Sequence, residues 1–138
     1  MVNKEIVERK LNKLKQYLGE LKEFQDLSWE KYCEDFQYRR VVERLIQLIV
    51  DVAVDINSHA VVDEGNAPPR DSFDSFMQAA NLGMFPLEFA KEIASSTGQR
   101  NIIMHEYEQI DDGLIYNSIP EAVETYGEYL RCVHNFIS

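Results

Sequence analysis

The residues best equipped for chemistry lie in one short stretch, Gln99-Arg100-Asn101-Ile102-Ile103-Met104-His105-Glu106-Tyr107. Arg100 offers a permanent, forked positive charge that suits a phosphodiester. His105 supplies an imidazole, a side chain of the type that can move a proton near neutral pH. The pair is sufficient to cleave RNA without a metal. The RNA's own 2′-hydroxyl would be the nucleophile, the imidazole would handle protons, and the guanidinium would hold the charge of the phosphorane. Asn101 would cap a helix or hydrogen-bond the phosphate or the histidine.

The spacing poses a geometric problem. On one regular helix running 99–109, Arg100 and His105 stand about 140° apart around the axis. Two arrangements resolve this. Asn101 could be the helix N-cap, which leaves Arg100 outside the helix and free to fold back. Alternatively, the working site could combine groups from two chains across a two-fold axis. Tyr107, seven residues after Arg100, would be nearly aligned with it on a continuous helix.

The surrounding elements read as helices throughout. Val7, Leu11, Leu14, Leu18 and Leu21 form a strict helical stripe, so a first helix is predicted over 4–25. Ser28 is a cap for a second helix running to about 62. The middle of that helix, from Val41 to Ile56, is apolar on nearly every side. Such a helix is buried on most faces, and the pattern predicts a homodimer. Arg39, Arg40 and Arg44 lie upstream in it, either as a basic edge beside an RNA cleft or paired with Glu34 and Glu43. His59 reads as an interior or rim histidine.

The stretch Val61 to Arg70, with Pro68-Pro69, ends the second helix. A third helix over 71–82 starts at Asp71 or Ser72, with Phe73, Phe76, Met77 and Ala80 inward. Gly83 ends it, and Pro86 opens a fourth with Leu87, Phe89, Ala90, Ile93 and Ala94 inward. Ser95-Ser96-Thr97-Gly98 loosens or ends that helix. Asp111-Asp112-Gly113 reads as a turn. Ser118-Ile119-Pro120-Glu121 reads as a capping box that starts a fifth helix, which carries Ala122, Val123, Tyr126, Leu130, Val133 and Ile137 inward and His134 in its final turn. The predicted fold is an all-α, up-and-down bundle of about five helices in one domain, 1–138.

Composition excludes several classes. The net charge of −10 argues against holding nucleic acid by bulk electrostatics, so RNA would need a local positive cleft. Cys33 and Cys132 have no metal-ligand spacing. His105, Glu106, Glu108, Asp111 and Asp112 lack the second histidine of the zinc-protease pattern and read as a solvated helix end. No phosphate-binding Gly-rich loop or nucleophile elbow is present. The N-terminus shows no signal-peptide pattern, and the apolar run from Leu45 to Ile56 is too short and too charged to span a bilayer. A cytoplasmic protein is expected.

The block Arg100-Asn101-x-x-x-His105-x-Tyr107 resembles that of the HepT-like toxins of the HEPN superfamily, ribonuclease partners of MNT-type nucleotidyltransferase antitoxins. The resemblance extends to the long second helix, the Pro-rich link, Asp71-Ser72-Phe73-x-x-Phe76 and Asn81-Leu82-Gly83. It implies a homodimer with its cleft at the interface. It also implies a metal-independent endoribonuclease with Arg100 and His105 catalytic, Asn101 supporting and no cofactor. The partner would silence the toxin by transferring AMP from ATP to Tyr107. The competing expectation is a non-catalytic helical partner of a nucleotidyltransferase.

Overall fold

The computed structural model describes residues 1–138, the side chain of Tyr107 excepted. Among the described residues there are seven α-helices and no strand. They are α1 (Lys4–Lys22), α2 (Trp29–Glu34), α3 (Phe36–Asp63), α4 (Ser72–Asn81), α5 (Leu87–Ala94), α6 (Ser96–His105) and α7 (Asp112–Ile137). A single 3-10 turn, Tyr107–Gln109, lies between α6 and α7.

α1 forms where its periodicity predicts it. Asn3 caps it by accepting from the Ile6 N–H, and the whole Val7-to-Leu21 stripe is buried. α1 packs along α3 and α7, and α4 and α6 close the far side of α3. α3 is thus the axis of the bundle. By length and composition α3 could cross a membrane, but in the fold it is the core helix, with Val42, Leu45, Ile46, Ile49, Val50, Ala53 and Ile56 buried. Most of its apolar surface is covered within one chain, with Val41 exposed and Leu48, Val52 and Val54 half-buried. The all-round apolar pattern therefore does not by itself require a second subunit.

Four expectations need correction. The second helix is two helices, because Asp35 adopts an extended conformation that ends α2. Its carboxylate then accepts the Gln37 N–H to cap α3. The fifth helix starts earlier than predicted. Asp111 caps α7 through the N–H groups of Gly113 and Leu114, so the expected turn is a helix start. Pro120 lies inside α7, and Ser118 donates back to the Ile115 carbonyl instead of capping. Finally, Phe73 and Leu87 are about half-exposed. Asp74 and Ser75 take the inner side of α4, because Asp74 accepts from the Arg70 backbone and side chain, and Ser75 accepts from Asn57.

Candidate functional site

The chemistry-bearing block lies on α6, and the serines before it explain the helix's direction. α5 and α6 are separated only by Ser95. The hydroxyls of Ser95, Ser96 and Thr97 donate to the carbonyls of Glu92, Ile93 and Ala94. Such back-bonding draws backbone acceptors out of the helical ladder and bends the chain. The expected loosening at this point is a joint between two helices.

Arg100 sits inside α6, not before it. One terminal nitrogen donates to Asp51 Oδ1 of α3 at 2.8 Å and to Met104 Sδ at 3.6 Å. The other donates to Ser72 Oγ, at the first residue of α4. The side chain is 13% exposed, and among the described residues its buried Nε has no partner. One guanidinium thus ties α3, α4 and α6 together. Asp51 was not singled out by sequence reasoning, and Ser72 was read only as a possible helix start and as part of the resemblance. The available signal was Asp51 itself, an acid within the mostly apolar run from Leu45 to Ile56.

Asn101 is exposed in the middle of α6 and is not its N-cap. The arrangement that needed Arg100 outside the helix is thereby removed. His105 is exposed and is the last residue of α6, whose C-cap is Glu106. The two groups are about 140° apart around α6 and about 7.5 Å apart along it. Arg100 points to α3 and α4, and within one chain α6 does not aim both groups at one point. Tyr107 begins the 3-10 turn after the helix ends, so the continuous helix that would align it with Arg100 does not exist. Its side chain, the expected modification site, lies outside the described residues.

The other side of α6 is distinct. Ser96, Gln99 and Ile102 face a cavity of about 390 Å³ between α3 and α7. Gln99 donates to Ser118 across it. Ser96 and Tyr126 share a hydrogen bond of 2.6 Å. Burial raises the Tyr126 hydroxyl above its ordinary range, against the Ser96 bond and the nearby Arg100 charge, so it stays protonated. Arg100 and His105 do not line this cavity.

The three arginines of α3 divide. Arg39 donates to the Tyr32 and Cys33 carbonyls and lies 3.7 Å from Asp112. Arg40 pairs with Glu43 rather than Glu34. Arg44 is exposed. His59 sits at the rim, 3.7 Å from Asp55. Cys33 and Cys132 are free thiols. Among the described residues no three His, Cys, Asp or Glu side chains converge in a metal-holding group.

A model of the HepT-like ribonuclease family matches residues 14–133. The chain is 33% identical over 132 residues to a tRNA nuclease HepT of Aphanizomenon flos-aquae, covering 96% of this chain and 90% of that one. The fold is similar to that of a tri-AMPylated Shewanella oneidensis HEPN toxin in complex with an MNT antitoxin. There the TM-score is 0.84 at 18% identity, over 94% of this chain and 97% of that one. It is also similar to YutE of Bacillus subtilis, a cytosolic protein of unknown function, with a TM-score of 0.79 at 14% identity, over 99% and 91% of the two chains.

Proposed function

Since the chain belongs to the HepT-like ribonuclease family, we propose that it is the RNA-cleaving toxin of a toxin–antitoxin pair, restrained by an MNT-type nucleotidyltransferase antitoxin. The site is a cleft between two copies of the chain. Arg100 holds and polarises the scissile phosphate. His105 takes the proton from the RNA 2′-hydroxyl, whose oxygen attacks phosphorus. The bond to the 5′-oxygen breaks, and the same histidine returns its proton to that oxygen, leaving a cyclic phosphate on one fragment. Asn101, exposed between the two, is free to hydrogen-bond the phosphate. Asp51 and Ser72 keep the guanidinium fixed, so its donors need no reorganisation during the reaction.

The observation that carries this reading is the separation of the two groups on α6. Arg100 is anchored inward while His105 stands exposed at the helix end. A two-fold symmetric pair supplies each arginine with a histidine from the other chain. Purified protein is expected to cut RNA in excess EDTA, and His105→Ala is expected to slow it by about 10²–10⁴ while the circular dichroism stays unchanged. Wild-type cleavage by folded His105→Ala protein overturns the reading.

Control would run through Tyr107. AMP on its hydroxyl brings a phosphodiester and an adenine beside the site, where they compete with RNA as a tethered ligand. Incubation with the nucleotidyltransferase, ATP and Mg²⁺ is expected to add whole AMP units at Tyr107 and to silence cleavage. Tyr107→Phe is expected to escape both. An unchanged mass leaves steric binding as the mode of control.

One observation favours a second reading, the non-catalytic helical partner. The Arg100 fork is already engaged by Asp51 and Ser72, as a purely structural tie would be. That reading requires Arg100→Ala to lower stability and leave RNA uncut by wild type and variant alike.

A further inference from the structure

We propose that the exposed face of α3 carrying Arg44, with Arg40 one turn behind it, is the track along which the phosphate backbone of single-stranded RNA reaches Arg100. The proposal rests on the ribonuclease reading above and extends it to how an acidic protein holds a polyanion.

Helical geometry lines the three cations up. Arg44 and Asp51 are seven residues apart on α3, which is nearly two full turns, about 20° of rotation and about 10.5 Å of rise. Arg40 falls within about 40° of both, at about 16.5 Å from Asp51 along the axis. This face is opposite the one that buries Val42, Ile46, Ile49 and Ala53. Asp51 already holds Arg100. The order along the helix is therefore Arg40, Arg44, then the Arg100 fork.

The state of each charge separates the arginines. Arg44 is exposed and takes part in none of the ion pairs or hydrogen bonds among the described residues. Arg40 is 62% exposed and gives one terminal nitrogen to Glu43, and among the described residues its other nitrogens have no hydrogen-bond partner. Arg39 is only 20% exposed and is consumed by backbone carbonyls and Asp112, so it is not part of the track. Val41, 45% exposed, gives an apolar ledge beside the arginines for a base to rest on.

Beyond this part of α3 the chain offers RNA few cations, and six of the other basic residues lie on a different helix, α1. After residue 44 the chain holds four Lys or Arg against fifteen Asp or Glu. A polyanion is repelled over that surface and needs a short cationic path to the site. Guanidinium forks suit phosphate oxygens better than they suit a generic protein surface.

The test uses a labelled single-stranded oligouridine, with affinity read by fluorescence anisotropy across a salt series on the full-length His105→Ala protein, which binds without cutting. Arg44→Glu is expected to weaken binding about tenfold or more. Arg44→Ala is expected to flatten the slope of log affinity against log salt by about 0.7, one phosphate contact on a single strand. Arg131→Glu makes the same change in net charge on a different helix, at a residue paired with Glu128, and is expected to change affinity far less. Equal losses from Arg44→Glu and Arg131→Glu overturn the track, because they mean bulk charge alone. Undiminished RNA binding by Arg44→Glu with lost binding to the nucleotidyltransferase also overturns it, and assigns the face to the protein partner. Cleavage is read separately with His105 intact. A wild type that binds through Arg44 but never cuts refutes the ribonuclease reading and leaves the track standing.

Discussion

Arg100 of α6 donates to the Asp51 carboxylate of α3 at 2.8 Å, joining residues 49 apart in the chain. The guanidinium is mostly buried, and Asp51 is its anionic partner. Removing one partner leaves a desolvated charge behind, which costs more than the bond itself contributes. Asp51→Ala is expected to lower stability by about 1–3 kcal/mol in urea denaturation. Asp55→Ala provides the comparison on the same face of α3. Its partner Lys10 and its own carboxylate are more exposed, so the cost is expected to be about 0–1 kcal/mol. Equal costs for the two variants would show that the Arg100 tie contributes no more than a surface ion pair.

Glu43 gives a pH-dependent prediction. Burial raises its carboxyl above the ordinary carboxylate range, and the Arg40 charge opposes this without cancelling it. The folded state therefore binds this proton more tightly than the unfolded chain does. The resulting stability is fully present below the ordinary carboxylate pKa and is lost as pH rises through the raised value. Glu43→Gln keeps the shape and cannot ionise. Its urea midpoint relative to wild type is expected to climb from acidic to neutral pH. A difference that stays flat with pH contradicts the raised carboxyl.

Pro120 is placed against local preference. Inside α7 it has no N–H to give to the carbonyl of Tyr116, and an interior proline ordinarily costs about 3 kcal/mol. Its side chain is exposed, so little packing is lost on truncation. Pro120→Ala is expected to raise the melting temperature. A lower melting temperature would mean that the proline's restriction of the unfolded chain outweighs the missing hydrogen bond.

These sites show where sequence reasoning reached and where it stopped. The α1 stripe was legible because burial there follows one period without interruption. Ser28 and Asp71 were legible as caps because capping is local. The Ser118-to-Glu121 signature was equally local, yet the helix runs through it. Ile115 and Ile119 continue the stripe that Tyr126 and Val133 bury, and that packing outweighs the signal to start anew. Asp35 escaped notice because a single extended residue leaves the hydrophobic pattern on either side intact. The residue types of the candidate site were legible, since Arg100 and His105 carry their chemistry in their side chains. Their anchoring was not, because Asp51 and Ser72 meet Arg100 only through the packing of α3, α4 and α6.

The arrangement of Arg100 and His105 leads to the most decisive expectation, complementation between two inactive proteins. About 140° of helix separates the groups within one chain, and the proposed cleft therefore draws its pair from two chains. Consider a dimer of one Arg100→Ala chain and one His105→Ala chain. One of its two clefts combines both altered residues and is dead. The other combines the intact arginine of the second chain with the intact histidine of the first, and is complete. Each variant alone forms only clefts that lack one group. Mixing equal amounts under conditions of subunit exchange is expected to restore about a quarter of wild-type cleavage, because half the dimers are mixed and each has one complete cleft. Arg100 also supports the fold, so Arg100→Ala must first be shown by circular dichroism and sedimentation to be folded and dimeric. Arg100→Gln, which keeps a donor for Asp51, serves if it is not. A site contained in one chain predicts no recovery on mixing, since neither chain holds both groups. Absence of recovery in mixtures shown to contain mixed dimers therefore rules out the two-chain cleft.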